Sequence, residues 1–293
     1  MSAIQEELER MLEEVDYGAR VQRDPVRFVH RYADARDREL AGMFAALMAY
    51  GRVGLFLPLL DTLFEHMDEQ GGPTAWVLGL DVDRELVSLG AFQYRWTRGP
   101  HLVLLAATLR GILEDYGSIE ALFAEGWEPG HSSIRQSLEA AVSRLRAQAQ
   151  ALAPSCGMSP DDLPRGVKYL FASPRHGSAC KRWNLYLRWM VRPAAEGVDS
   201  GIWTSIPASH LVLPLDTHTH RISRFIGLTN RKDGSWRTAE EITQNLRKID
   251  PSDPVRFDFA LAHLGISGFC KGHRSVDICP SCPLDPICSA PAS

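Results

Sequence analysis

The sequence predicts an all-α fold with loop-rich ends, and three observations predict it. Apolar residues recur at helical spacing through most of the 293 residues. One segment alone, Ala208–Leu215, has the short apolar run of a strand, and Pro214 argues against a central strand there. Gly, Pro, Ser and Cys gather in three connections, Ala153–Arg165, Arg192–Pro214 and Cys270–Ser293, as loops require.

The elements follow in order. Glu6–Val15 places Leu8, Met11, Leu12 and Val15 on one helical face, with carboxylates around the rest of the turn. Asp37–Tyr50 is rich in Ala, Leu and Met and reads as a buried helix ended by Gly51. Leu55–Met67, His101–Asp115, Ser118–Ala124 and Ser132–Leu152 are further helices, Gly117 stopping the second of these and Ser118 capping the third. Ser178–Arg192 is a helix ended by Pro193, and Asp216 opens another that runs through Ile222, Phe225 and Ile226. The connection Arg192–Pro214 is too long for an ordinary helix–helix link, and such loops are often functional.

Composition narrows the class. Hydrophobic residues make up 45% and charged residues 23%, which excludes disorder and a fibre. No apolar run approaches the ~18 residues of a membrane span, and the N-terminus, with six acidic residues and no apolar core, does not read as a secretory signal. A soluble, cytoplasmic protein is expected, with no membrane partner and a monomeric state. The net charge of −4 excludes a uniformly basic coat protein but leaves local charge open.

Four of the six cysteines fall in one short segment, spaced Cys270-x8-Cys279-x2-Cys282-x5-Cys288. Four soft thiolates in one loop can close around a metal, and sulfur selects zinc or an iron–sulfur cluster. Structural zinc more often takes two separated Cys-x2-Cys knuckles, so the single x2 pair favours a 4Fe-4S cluster, with zinc as the alternative. Cys156 and Cys180 read as plain buried thiols.

From Leu163 to Ala195 there is no acidic residue but there are seven cations, which in an acidic chain predicts a local anion-binding surface. Within Ser178–Arg192, Lys181, Asn184, Arg188 and Arg192 fall on one stripe, opposite Trp183, Leu187 and Met190. Lys181 lies in the first helical turn, where the helix dipole and neighbouring cations disfavour extra positive charge, a setting suited to a nucleophilic amine. Gly177 precedes that turn and could expose backbone N–H groups to a phosphate.

Asp216, in Leu215-Asp216-Thr217-His218-Thr219-His220-Arg221, is a natural N-cap. A carboxylate at a helix start near a lysine can also assist proton transfer and stabilise a developing cation. His218 and His220, at alternate helical positions, point in different directions and do not read as a metal pair.

A lysine at a helix start, then Asp-Thr-His-x-x-Arg, then a helical segment, then four cysteines resembles the helix-hairpin-helix DNA glycosylases, especially the endonuclease III branch. Asp258–Cys270 looks like the helix leading into that family's cluster, and Glu39–Arg52 looks like its early helix and the loop that fills the gap left by a base. The lysine–aspartate separation is more similar to the archaeal 8-oxoguanine glycosylases. The whole length also resembles a bacterial family of similar size.

The resemblance implies two helical lobes flanking a DNA-binding cleft: a central bundle over 36–192, and a second lobe of 1–35 with 193–293 that carries Asp216 and the cysteines. It implies base-excision repair of double-stranded DNA by a glycosylase with AP lyase activity. Its substrate would be a flipped, oxidised base similar to 8-oxoguanine. Lys181 would form the Schiff base, Asp216 would assist it, and Cys270, Cys279, Cys282 and Cys288 would hold the cluster. Gly177, Ser178, Arg188, His218 and Arg221 would contact the DNA, and Tyr50 or Arg52 would fill the gap. Tyr94, Trp96 and Trp203 are base-stacking candidates with core packing as the alternative, and Lys271, His273 and Arg274 would lie on a basic loop shaped by the cluster. Leu163–Lys168 (LPRGVK) is a competing match to the hairpin, which makes Lys168 the rival nucleophile. The rival function is a non-catalytic iron–sulfur nucleic-acid-binding protein in which Asp216 only caps its helix.

Overall fold

The computed structural model describes residues 3–292. The chain forms α1 (Ala3–Glu13), α2 (Tyr17–Val21), α3 (Arg27–His30), α4 (Ala35–Met48), α5 (Val53–Asp68), α6 (Pro73–Leu78) and α7 (Val82–Ser88). A two-stranded antiparallel hairpin follows, β1 (Gln93–Tyr94) and β2 (Thr97–Arg98), and then α8 (Gly99–Tyr116), α9 (Ile119–Glu125) and α10 (Arg135–Leu152). The remainder holds α11 (Arg165–Leu170), α12 (Lys181–Val191), α13 (Thr217–Phe225), α14 (Trp236–Arg247) and α15 (Asp258–Ile266). The all-α expectation holds. No helix among the described residues is long and apolar enough to cross a membrane.

Two helices make the centre. Asp34 caps α4 by accepting from the N–H groups of Arg36 and Asp37, and every residue from Glu39 to Met48 is buried. In α12 every residue from Arg182 to Val191 is buried. These two pack closely at Gly42, where an added Cβ would lie 2.8 Å from Met190 Cε and 3.3 Å from the Tyr186 ring. A side chain there would overpack the crossing. The buried apolar residues run as one cluster from Leu8 to Leu284. The N-terminal segment meets the C-terminal part directly: Arg10 donates to Pro283 O at 2.6 Å, Arg256 pairs with Glu9, and Tyr17 stacks on Phe259.

The anticipated helices are present with small shifts at their ends. Ser118 accepts from Ala121 N to cap α9, and α8 ends at Gly117 with φ 80°. Ala208–Leu215 forms no strand, in keeping with Pro214: Ala208–His210 is a 3₁₀ turn, and the buried chain after it joins no sheet among the described residues. Leu213 N instead donates to Thr243 Oγ1 of α14 at 3.0 Å, so a helix side chain satisfies the backbone there.

Candidate functional site

A cavity of about 780 Å³ lies where the start of α12, the start of α13 and the inner face of α15 converge. Lys181 and Asp216, 35 positions apart in the chain, both line it, as do Ser178 and His218. The local chain explains the placement. Cys180 adopts a left-handed backbone, φ 48°, which turns the chain sharply into α12 so that Lys181 is its first residue. The preceding turn is held against α14: Trp236 N donates to Gly177 O at 3.1 Å, Ser178 bridges Ser235, and the Ser178 hydroxyl accepts from Cys180 N.

Lys181 is partly buried, and its Nζ reaches the Ala49 carbonyl at 3.5 Å. It has no ion-pair partner among the described residues. Lys168, the rival, is exposed, pairs with Asp162 at 2.6 Å and does not line the cavity. Asp216 caps α13: its Oδ1 accepts from His218 N at 2.9 Å and Thr219 N at 2.8 Å. One carboxylate oxygen is therefore committed to the helix start.

Residues 24–267 match the family described as "Protein of unknown function (DUF2400)". The chain belongs to that family. No curated protein and no solved structure matches it. The DUF2400 match takes in both Lys181 and Asp216 and stops short of Cys270.

Several expected DNA contacts are corrected in this DUF2400 chain. Arg188 is only 2% exposed; it bonds Asp199 at 3.1 Å and also pairs with Asp258. Arg192 pairs with Asp199, Asp253 and Glu196. Arg182 donates to the carbonyls of Leu47 and Tyr169. The three arginines of α12 thus turn inward, held by carboxylates and carbonyls from other segments, and offer no anion-binding surface, while Lys181 of the same stripe faces the cavity. Tyr50 is also buried. Its hydroxyl is hydrogen-bonded to Tyr94 O at 3.0 Å and to the Thr97 hydroxyl at 2.8 Å, which removes it as a mobile wedge. Trp203 is core, with its indole N–H on Glu39 at 2.6 Å. Arg52 is exposed at the cavity wall beside Tyr50, and Gly177 has open space around its Cα.

Arg221 has a different task from the one expected. Its Nη2 donates to Cys270 O at 2.8 Å, and its side chain lies beneath Gly272, so it ties α13 to the cysteine loop. In that loop Ser275 N donates to Cys279 Sγ at 3.2 Å, and Arg274 holds Cys288 O and Asp285. Burial first, then the neighbouring cysteines, push the Cys282 and Cys288 thiols up, so the four sulfurs feel one another. Among the described residues no three His, Cys, Asp or Glu side chains stand close enough to hold a metal ion. The donor set is nonetheless four soft thiols with a backbone N–H on one sulfur, which suits an iron–sulfur cluster. Cys156 and Cys180 are buried as expected, and burial pushes the Cys180 thiol up to about 12.

One cavity residue escaped sequence reasoning. Asp258, the first residue of α15, is buried, bonded to Arg188, and lines the cavity with Lys181 and Asp216. Burial pushes its carboxyl up to about 6; Arg188 pulls the other way, and Asp216 adds to the rise. Its Oδ1 and Arg188 Nη2 have no hydrogen-bond partner. The signal was a lone carboxylate on the helix DFALAHLGI, in which His263 is the only other polar side chain.

Proposed function

We propose that this protein is a DNA glycosylase with AP lyase activity that removes a damaged, oxidised base similar to 8-oxoguanine from double-stranded DNA. The observation that carries the reading is that Lys181 and Asp216, each at a helix start, line one cavity large enough for a nucleobase and its sugar. On this reading the cavity is the floor of a cleft between two helical lobes, and the target nucleotide is everted into it.

The neutral Lys181 amine attacks C1′ of the deoxyribose, and the base leaves with the electrons of the glycosidic bond and takes up a proton. The aminal so formed loses the amine proton and its C1′–O4′ bond opens, O4′ taking up a proton; loss of a C2′ proton from the resulting iminium then expels the 3′ phosphate by β-elimination. Asp216 keeps Oδ1 on the cap and offers the rest of its carboxylate to the ammonium proton and the cationic sugar. Cys270, Cys279, Cys282 and Cys288 would hold a 4Fe-4S cluster, whose bonds would fix the fold of the loop that Arg221 anchors. Four iron atoms per purified chain support that assignment, and one zinc atom would replace it.

The double bond formed on Lys181 is trappable. Borohydride present during incubation with lesion-containing duplexes, tested as a panel with one modified base in each, should leave a covalent protein–DNA adduct that Lys181→Ala abolishes. An adduct that survives in Lys181→Ala and disappears in Lys168→Ala would move the chemistry to the other lysine. The capping bonds of Asp216 favour a second reading, a non-catalytic iron–sulfur protein that binds nucleic acid. Asp216→Asn separates the two, since asparagine also caps: excision collapses with folding intact if the protein is an enzyme.

A further inference from the structure

The short hairpin β1–β2 carries arginines that the cavity chemistry does not use. Its two-residue turn is Arg95-Trp96, and Arg95 has a left-handed backbone, φ 53°. Glycine is the usual residue for such a turn position, and an L side chain there costs about 1 kcal/mol. The turn is held in place from several directions. The Tyr94 hydroxyl donates to Tyr50 O, and the Trp96 ring stacks parallel to Tyr50 at 6.2 Å. A Cβ on Gly51 would lie 2.9 Å from Arg95 Nη1, so the Arg95 guanidinium rests against the loop that carries Arg52. Arg165, the first residue of α11, places its guanidinium over the Trp96 ring at 4.4 Å, and Arg95 lies 4.9 Å from the same ring. Arg52, Arg95 and Arg165 thus come from three separate segments, and none has an ion-pair partner among the described residues. Tyr50, Gly51 and Arg52 also line the cavity, so Arg52 stands at its edge and Arg95 packs behind it against Gly51.

We infer that Arg95 and Arg165, braced on Trp96, together with Arg52 on the adjoining loop, form a phosphate-binding rim that grips the backbone of a nucleic-acid strand beside the cavity. Rigid guanidinium groups spaced along an aromatic platform fit a run of phosphates, whereas the overall charge of −4 would repel a polyanion elsewhere. The inference rests on the nucleic-acid reading above and adds to it where the strand lies.

The test is fluorescence anisotropy of a labelled, undamaged duplex titrated with full-length protein over a range of salt concentrations. Arg95→Gly and Arg165→Ala are combined, because glycine relieves the left-handed turn and preserves the fold. Each substitution is expected to weaken binding about five- to tenfold. Together they should lower the slope of log affinity against log salt by roughly two, at about 0.9 for each phosphate no longer neutralised. Arg84→Ala, an exposed arginine on α7, is the control that leaves both quantities unchanged. An unaltered slope in the double variant, with the parent protein binding well, overturns the rim and leaves the glycosylase reading standing. So does a double variant that keeps its DNA affinity but loses binding to a polyglutamate peptide, which would assign the rim to an acidic protein partner. A parent protein that binds no duplex even at low salt removes the functional reading, and the rim with it.

Discussion

The arginines of α12 and those around the hairpin turn are chemically identical and do opposite things. Arg182, Arg188 and Arg192 are buried, Arg182 against backbone carbonyls and the other two facing Asp199, Asp253, Asp258 and Glu196. Arg52, Arg95 and Arg165 lie at the surface, with no carboxylate in ion-pairing range among the described residues. A basic stretch in a sequence therefore reports charge and not its destination. Inside the protein each guanidinium must find its counter-charges before folding is favourable. At the surface water solvates it, and it stays free for a ligand.

Substitutions in the two groups should have very different consequences. The largest effect should follow Arg188→Ala, which strands the buried Asp258 and leaves Asp199 to Arg192 alone, and should cost about 3–5 kcal/mol in urea unfolding. A loss below about 1 kcal/mol would mean that the buried network carries little of the fold. Next is a pH effect at Asp258. Two guanidiniums face four carboxylates in this network, so one carboxyl that retains its proton is electrostatically reasonable. Because its folded-state pKa, about 6, lies above the usual 3.8, its contribution to stability is complete below about pH 4 and is lost as pH rises through 6. The loss, on the order of 3 kcal/mol, should vanish from the pH profile of Asp258→Asn. A profile identical to that of the parent would assign the titration to another group. The smallest effect belongs to the rim: Arg165→Ala should change stability by less than about 0.5 kcal/mol while weakening DNA binding, and a larger loss would make it a packing residue.

Much of the helical framework is legible in the sequence because burial imposes a period on it. Glu39–Met48, with Ala, Leu and Met on all sides, could only be an enclosed helix, and Ser118 and Gly117 mark a real start and stop. Lys181 and Asp216 stand out because each is an ionisable group at a helix start, where neighbours in sequence are also neighbours in space. Tyr50, Arg188 and Trp203 mislead as ligand contacts because the groups that occupy them, Thr97, Asp258 and Glu39, are distant in the chain. The hairpin turn is hidden for a related reason. Two-residue strands have no measurable alternation, and what holds Trp96 is Tyr50 and Arg165.

The helices, their caps and the four-thiol segment can be read from the chain directly, since these depend on residues within a few positions of one another. Only packing decides which cations are buried, brings Asp258 into the cavity beside Lys181 and Asp216, and sets two arginines over one tryptophan. Those outcomes depend on counter-charges and surfaces that meet only once the chain has folded, and no local pattern encodes such a meeting.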